Sequence, residues 1–256
     1  MPQWVFLGRL FAEVILNDKA ARETGGAGVQ VRLVRRALAG FAAAMLLIGS
    51  AGMTVSYFNN RALENEVLEA ARGIQFGEGG GAAQALPSQD ALEKLDRLRL
   101  SVSKLSAYQR EGAPLALRWG LYVGNRMFPP SRQLYFNRFH QLLFGATQAS
   151  LLEWLRNLPL RPGPDDAYKP SYDTLKGYLI TTSHPDKSTR EFLSPLLLER
   201  WSAGRDVDPE RRALAARQFD FYAEELLRGN PFASDNDMEA ITRARRYLAQ
   251  FNALER

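Results

Sequence analysis

Apolar residues run unbroken from Leu38 to Phe58 (LAGFAAAMLLIGSAGMTVSYF), 21 positions without a charge, an Asn, a Gln or a Pro. As a helix this stretch reaches ~31 Å, which matches the hydrocarbon core of a bilayer. A buried helix of a soluble protein can be equally apolar, but it rarely stays uncharged over about six turns. The run therefore predicts a transmembrane helix. Arg32, Arg35 and Arg36 precede it, whereas Asn59, Asn60 and Arg61, then Glu64, Glu66 and Glu69, follow it. Clustered arginines stay on the cytoplasmic side, so these three are the expected topology determinants. Tyr57 and Phe58 stand where an interfacial aromatic belt would lie. Ten of the 21 residues are Gly, Ala or Ser. That suits close approach of a second helix, and equally a merely modest hydrophobic span, since no GxxxG occurs within it.

On either side the pattern becomes amphipathic. Residues 3–16 (QWVFLGRLFAEVIL) set Phe6, Leu7, Leu10, Phe11, Val14 and Ile15 at helical spacing, with Arg9 and Glu13 off that face. This predicts a helix lying on the inner leaflet or docked on other protein. No cationic n-region precedes it, so the uncleaved span is expected to be both export signal and anchor. Gly25, Gly26 and Gly28 predict a hinge; without a following Lys-Ser/Thr they are not a phosphate loop. After the span, helix is expected from Arg61 to Arg72, and residues 73–87 (GIQFGEGGGAAQALP) have a flexible linker's composition.

Leu92, Leu95, Leu98, Val102 and Leu105 follow a 3–4 repeat, with Asp90 and Glu93 as the expected cap and Gly112 and Pro114 as the stop. Residues 115–130 predict a short helix and a turn with inward aromatics. Ser131 should open a long helix to about Asn157, burying Leu134, Phe139, Leu142, Ala146, Ala149 and Leu152. Further starts are expected after Ser171, after Ser188 with Glu191 as capping-box partner, after Asp208 with Pro209 at the first helical position, and at Ser234. In SYDTLKGYLI, Tyr172, Leu175, Leu179 and Tyr178 share one side, with Asp173 and Lys176 pointing away. Leu175 and Leu179 are thus expected against the long helix, near Phe139 and Leu142. No segment has a strand pattern. The fold class is all-α: a single transmembrane helix followed by a periplasmic helical bundle.

Charge and chemistry narrow the function. The net charge of +5 is concentrated early: residues 1–36 hold six Lys/Arg against three Asp/Glu, leaving 27 against 25 elsewhere. No basic stripe interleaved with aromatics stands out, and Arg243, Arg245 and Arg246 suit a solvated helix face, so no nucleic-acid partner is expected. The absence of cysteine excludes disulfides, thiolate metal sites and a Cys nucleophile, and fits a periplasmic domain. His140 and His184 lie 44 residues apart without clustered co-ligands. Asp165-Asp166, between Pro164 and Pro170, suits an exposed loop better than a catalytic pair. No G-x-S-x-G or HExxH occurs. No catalytic residue, metal site or cofactor is expected, and the chain is not expected to be an enzyme.

Three stretches in order resemble the IcmF/TssM family, the inner-membrane subunit of bacterial type VI secretion systems: FLGRLFAEVILNDKAA, RWGLYVGNRMFPPSRQLYFNRFHQLL and SYDTLKGYLITTSHPDKSTREFLSPLLLERW. The family-matched positions are Gly120, Leu121, Tyr122 and Gly124, then Tyr172, Leu175, Lys176, Tyr178 and Leu179. The resemblance implies packing roles for them. Family members are longer. Their amino-terminal membrane helices, NTPase-like domain and carboxyl-terminal β-rich region have no counterpart here, so a fragment, split-gene product or truncated homologue is expected, without nucleotide hydrolysis. The resemblance further implies a scaffold subunit anchoring a type VI membrane complex in the inner membrane and spanning part of the periplasm. Its partners would be the complex's other subunits, including an inner-membrane partner, and further copies of itself. The outer-membrane lipoprotein is a weaker expectation, because the region that contacts it is missing. The rival expectation is a membrane-anchored periplasmic ligand-binding, sensor or enzyme domain. The expected division is 1–36 cytoplasmic amphipathic and basic segment, 37–58 transmembrane helix, 59–87 helix extension and Gly-rich linker, and 88–256 periplasmic α-helical domain.

Overall fold

The computed structural model describes residues 19–75 and 86–251, and every regular element among them is helical. The expected amphipathic helix over 3–16 and most of the Gly-rich linker lie outside the described residues. The first element, α1 (Lys19–Gln75), is one helix of 57 residues, ~86 Å at 1.5 Å per residue. It passes straight through Gly25, Gly26 and Gly28, so the expected hinge is absent. A helical glycine costs only about 1 kcal/mol relative to alanine, and no proline interrupts this stretch.

Among the described residues eight α-helices follow: α2 (Gln89–Glu111), α3 (Leu115–Arg118), α4 (Gly124–Phe139), α5 (Gly145–Arg156), α6 (Tyr168–Thr182), α7 (Arg190–Ser202), α8 (Pro209–Leu226) and α9 (Met238–Leu248). In α2 all five expected positions, Leu92 to Leu105, are fully buried. Its cap is Ser88, whose hydroxyl accepts from Ala91 N at 3.2 Å, rather than Asp90, which pairs with Lys94. Asp208 caps α8 as expected, accepting from Glu210 N and Arg211 N.

The other boundaries depart from expectation for identifiable reasons. Helix α4 begins at Gly124, not Ser131, and carries Pro129 and Pro130 inside it. The bonds those prolines cannot donate would go to the carbonyls of Asn125 and Arg126, both exposed, so water can replace them. Helix α6 begins at Tyr168, because Pro170 falls in its first turn, where no amide is needed. Ser188 does not cap α7. Thr189 occupies that position, and the buried Ser188 hydroxyl donates to Ala223 O of α8 at 2.8 Å. Helix α9 starts after Asp237, which accepts from Ala240 N at 2.9 Å, and not at Ser234; it ends at Leu248.

Between α4 and α5 the chain makes one π turn, His140–Phe144, in which Gly145 N donates to His140 O. The buried face runs Tyr135, Phe139, Leu143, Thr147, Leu151, Leu155, a spacing of four throughout. Such a row drifts by about 40° per step on an ideal α-helix, and a wider turn takes up part of the drift. That displaces the expected face: Ala146 and Ala149 are exposed, while Leu134, Leu142 and Leu152 are half-buried.

The main core lies between α2, α4, α7 and α8, with Ile74 of α1 at its edge. Phe139 is its hub, with ring centroids of Tyr135, Phe144, Phe219, Tyr222 and Phe232 at 5.3–6.2 Å. Some polar groups in this core are matched: Tyr135 Oη donates to Gln218 Oε1 at 3.1 Å, and Gln218 Nε2 to Asp96 Oδ1 at 2.8 Å, whereas the buried Tyr222 hydroxyl has no partner. The buried Glu225 carboxylate receives Ser106 Oγ, Arg132 and Arg228, so its charge is compensated. A second cluster joins Leu155 and Leu158 to α6 and α9. Leu175 is buried in that cluster with Leu155 of the long helix, and not in the main core with Phe139 and Leu142 as expected.

Candidate membrane anchor and its junction with the helical domain

Within α1, residues 31–55 are exposed except for half-buried Gly49 and Gly52. Arg32, Arg35 and Arg36 are exposed one to two turns before the apolar run. Past Ser56 the same helix acquires a buried side, through Ser56, Asn60, Leu63, Val67 and Ile74, and packs on α2, α3 and α4. Leu63 and Val67 form a third cluster with Leu105, Ala113 and Leu117, closed by Tyr108, Tyr122, Met127 and Phe128.

At the mouth of this cluster the chain between α2 and α4 folds down against α1 and returns. On the way down, Ala116 O accepts from Asn59 Nδ2 at 3.4 Å. Leu117 O accepts from both Ser56 Oγ and Asn60 Nδ2 at 2.9 Å. At the bottom the Trp119 ring lies across Gly52, where an added Cβ would meet it at 2.6 Å. Gly120, at φ 82°, then reverses the chain in a conformation that side-chain-bearing residues rarely adopt. On the way up Val123 N donates to Asn60 Oδ1 at 3.1 Å. One asparagine thus holds both limbs of the dip, with the nitrogen and the oxygen of its side-chain amide.

The family-matched residues divide between two places. Gly120, Leu121, Tyr122 and Gly124 build the dip. The Tyr122 ring packs edge-on to Tyr108 at 6.4 Å and leaves no room for a Cβ on Gly124. Burial, and then Tyr108 beside it, pushes the Tyr122 phenol above its ordinary pKa. Leu121 is exposed, and Trp119 is exposed too, so the aromatics of this stretch do not all turn inward. The other five stand on α6, where Leu175, Tyr178 and Leu179 join the second cluster. Tyr178 is buried and its hydroxyl accepts from Asp237 N at 3.0 Å. Leu175 is buried and Leu179 half-buried. Tyr172 is exposed and stacks on Tyr168 at 5.5 Å. Lys176 does not simply point away, because its Nζ sits 3.9 Å above the Phe192 ring. Ser56, Asn60, Gly52 and Trp119, which organise the junction, were not singled out by pattern. The signal for two of them was present: Ser56 and Asn60 at i and i+4 put polar groups on one face at the end of an apolar helix.

The residues with catalytic potential are dispersed. His140 and His184 are both exposed, and among the described residues no three His, Asp or Glu side chains are gathered to hold a metal. Asp166 accepts from Gly163 N and from Tyr247 Oη, each at 2.8 Å, tying its loop to α9. Those bonds, Gly163 first, hold its carboxyl below the usual carboxylate range.

These features define an all-α protein with one helix long and apolar enough to cross a membrane, continued into a helical domain. Residues 90–256 match the family model described as "IcmF-related: Intracellular multiplication and human macrophage-killing". The chain belongs to this IcmF-related family. Membership makes it a membrane-associated, secretion-related protein that takes its place in a complex with other subunits. No curated protein and no solved structure matches it.

Proposed function

We propose that the chain is a structural scaffold subunit of a type VI secretion membrane complex, anchored in the bacterial inner membrane by residues 38–58. Arg32, Arg35 and Arg36 keep its N-terminus in the cytoplasm, and the helical domain projects into the periplasm. It carries no enzymatic activity of its own. The observation that supports this role most is the continuity of α1. The apolar span and the helix that packs on α2, α3 and α4 are one uninterrupted rod. A domain coupled to its anchor in this way holds a fixed attitude to the membrane, as a symmetric channel built from repeated copies requires. Such an assembly would comprise further copies of this chain together with an inner-membrane partner.

Reporter fusions test the orientation. Alkaline phosphatase fused after Gly80 should be active and fused after Gly28 inactive. The reverse pattern would invert the topology and remove the periplasmic scaffold.

A further inference from the structure

We propose that the dip at residues 115–121 is a second membrane contact, a wedge seated at the headgroup–acyl boundary of the leaflet on the domain side. The inference rests on the reading of residues 38–58 as a bilayer span. Its depth follows from α1 itself. Trp119 lies across Gly52, six residues before Phe58, the last residue of the apolar run. Six residues of helix correspond to ~9 Å, which sets the indole below the edge of the span, where interfacial tryptophans reside. Tyr57 and Phe58, both exposed, lie at the rim of the same region.

The outward surface of the dip suits lipid. Leu115 is 76 % exposed, Trp119 42 % and Leu121 41 %, an unusual concentration of large apolar side chains on a short connection. The only charge within the dip, Arg118, folds back so that its guanidinium donates to Ala113 O. Backbone at membrane depth is tolerated only where protein satisfies its polar groups, and the carbonyls of a helix as short as α3 have no partners within it. Ala116 O and Leu117 O are satisfied in this way by Asn59, Ser56 and Asn60 of the membrane helix. A connection lying in water would need no such partners. The polar residues at the end of the span thus make a shallow immersion of this loop possible.

The chain lacks cysteine, so single nitroxide labels can be placed without background. Full-length Leu115→Cys and Leu121→Cys, in phosphatidylethanolamine–phosphatidylglycerol vesicles, are compared with Leu46→Cys in the middle of the span and Leu160→Cys in the loop after α5. All four side chains are exposed, so labelling spares the packing. The ratio of oxygen to nickel-chelate collisions measures depth. Positions 115 and 121 should exceed Leu160 severalfold and fall short of Leu46. Ratios equal to that at Leu160, with Leu46 high, would overturn the wedge and leave the anchor intact. Shielding of 115 and 121 from both reagents would also overturn it, because protein rather than lipid would cover the surface. A water-like ratio at Leu46 would remove the span itself and the wedge with it.

Discussion

Phe139 touches six aromatic rings and makes no polar contact, whereas Asn60 uses its side-chain amide to bond Leu117 O, Val123 N and its own helix. The first belongs to a core whose stability grows with area buried and tolerates small shifts among its neighbours. The second belongs to a junction where a small apolar cluster around Leu63 and Val67 is supplemented by a few bonds, each aimed at one particular atom. Bulk therefore fastens the domain to itself, and directed bonds add to a smaller apolar contact in fastening it to α1. The two regions should fail differently.

The largest effect is expected in the core. Truncating Phe139 to alanine removes a fully buried ring from a set that cannot collapse around the gap without moving α4 against α8. Such substitutions cost about 3–5 kcal/mol, a large share of a domain's net stability. Denaturant unfolding of the full chain, reconstituted in nanodiscs and followed by near-ultraviolet circular dichroism, should show a clearly lowered midpoint. An unchanged midpoint would mean that the aromatic cluster is not the cooperative unit.

Asn60→Ala should act locally. Leu117 O keeps its bond from Ser56, so the main loss is the partner of Val123 N; that residue is half-buried, so the cost lies at or below the ~1 kcal/mol lower end for an unsatisfied group. Amide exchange at Val123 and along the dip should accelerate, while the global midpoint moves less than in the Phe139 variant. Asn60→Asp keeps an acceptor for Val123 and loses both donors, so it should protect Val123 and loosen Leu117. If Asn60→Ala lowers the global midpoint as far as Phe139→Ala, junction and core unfold together and the contrast between them fails.

The same contrast explains which parts were legible in the amino-acid sequence. Hydrophobic spacing names the buried face of α2 residue for residue, because Leu92 to Leu105 answer to a single period. It also names the one helix among the described residues that is long and apolar enough to cross a membrane, which needs only length and apolarity. It misplaces Ala146 and Ala149, because a π turn changes the phase of a helix without leaving a mark in composition. It assigns caps to Asp90, Ser188 and Ser234, where Ser88, Thr189 and Asp237 stand, since polar residues next to a helix start compete on details of φ and ψ. The junction is hardest to read. Gly52 and Trp119 are 67 positions apart, and nothing local links a glycine in a membrane helix to a ring that will lie on it.

The smallest effect expected lies in a third kind of attachment, the loop between α5 and α6, where Asp166 joins Gly163 to Tyr247. Its hydrogen bonds favour the ionised carboxylate, so the folded-state pKa lies below the unfolded value of about 3.9. A depressed acid contributes stability that is present above the unfolded pKa and lost as pH falls through the folded one. Asp166→Asn keeps an oxygen that can accept from Gly163 and removes the charge. The wild-type midpoint should therefore lie slightly above the variant's at pH 5–7, and the two should converge as the pH falls through the folded-state pKa. Tyr247 does not blur the comparison: burial first, and Asp166 second, push its phenol up to about 12, so it remains a donor throughout. Asp237 is also depressed, through Ala240 N and then Arg156, but it is present in both proteins and cancels in the difference. Parallel curves from pH 7 to pH 3 would show that the Asp166 carboxylate does not titrate against folding. The loop would then be held by packing, like the core, rather than by a directed bond, like the junction.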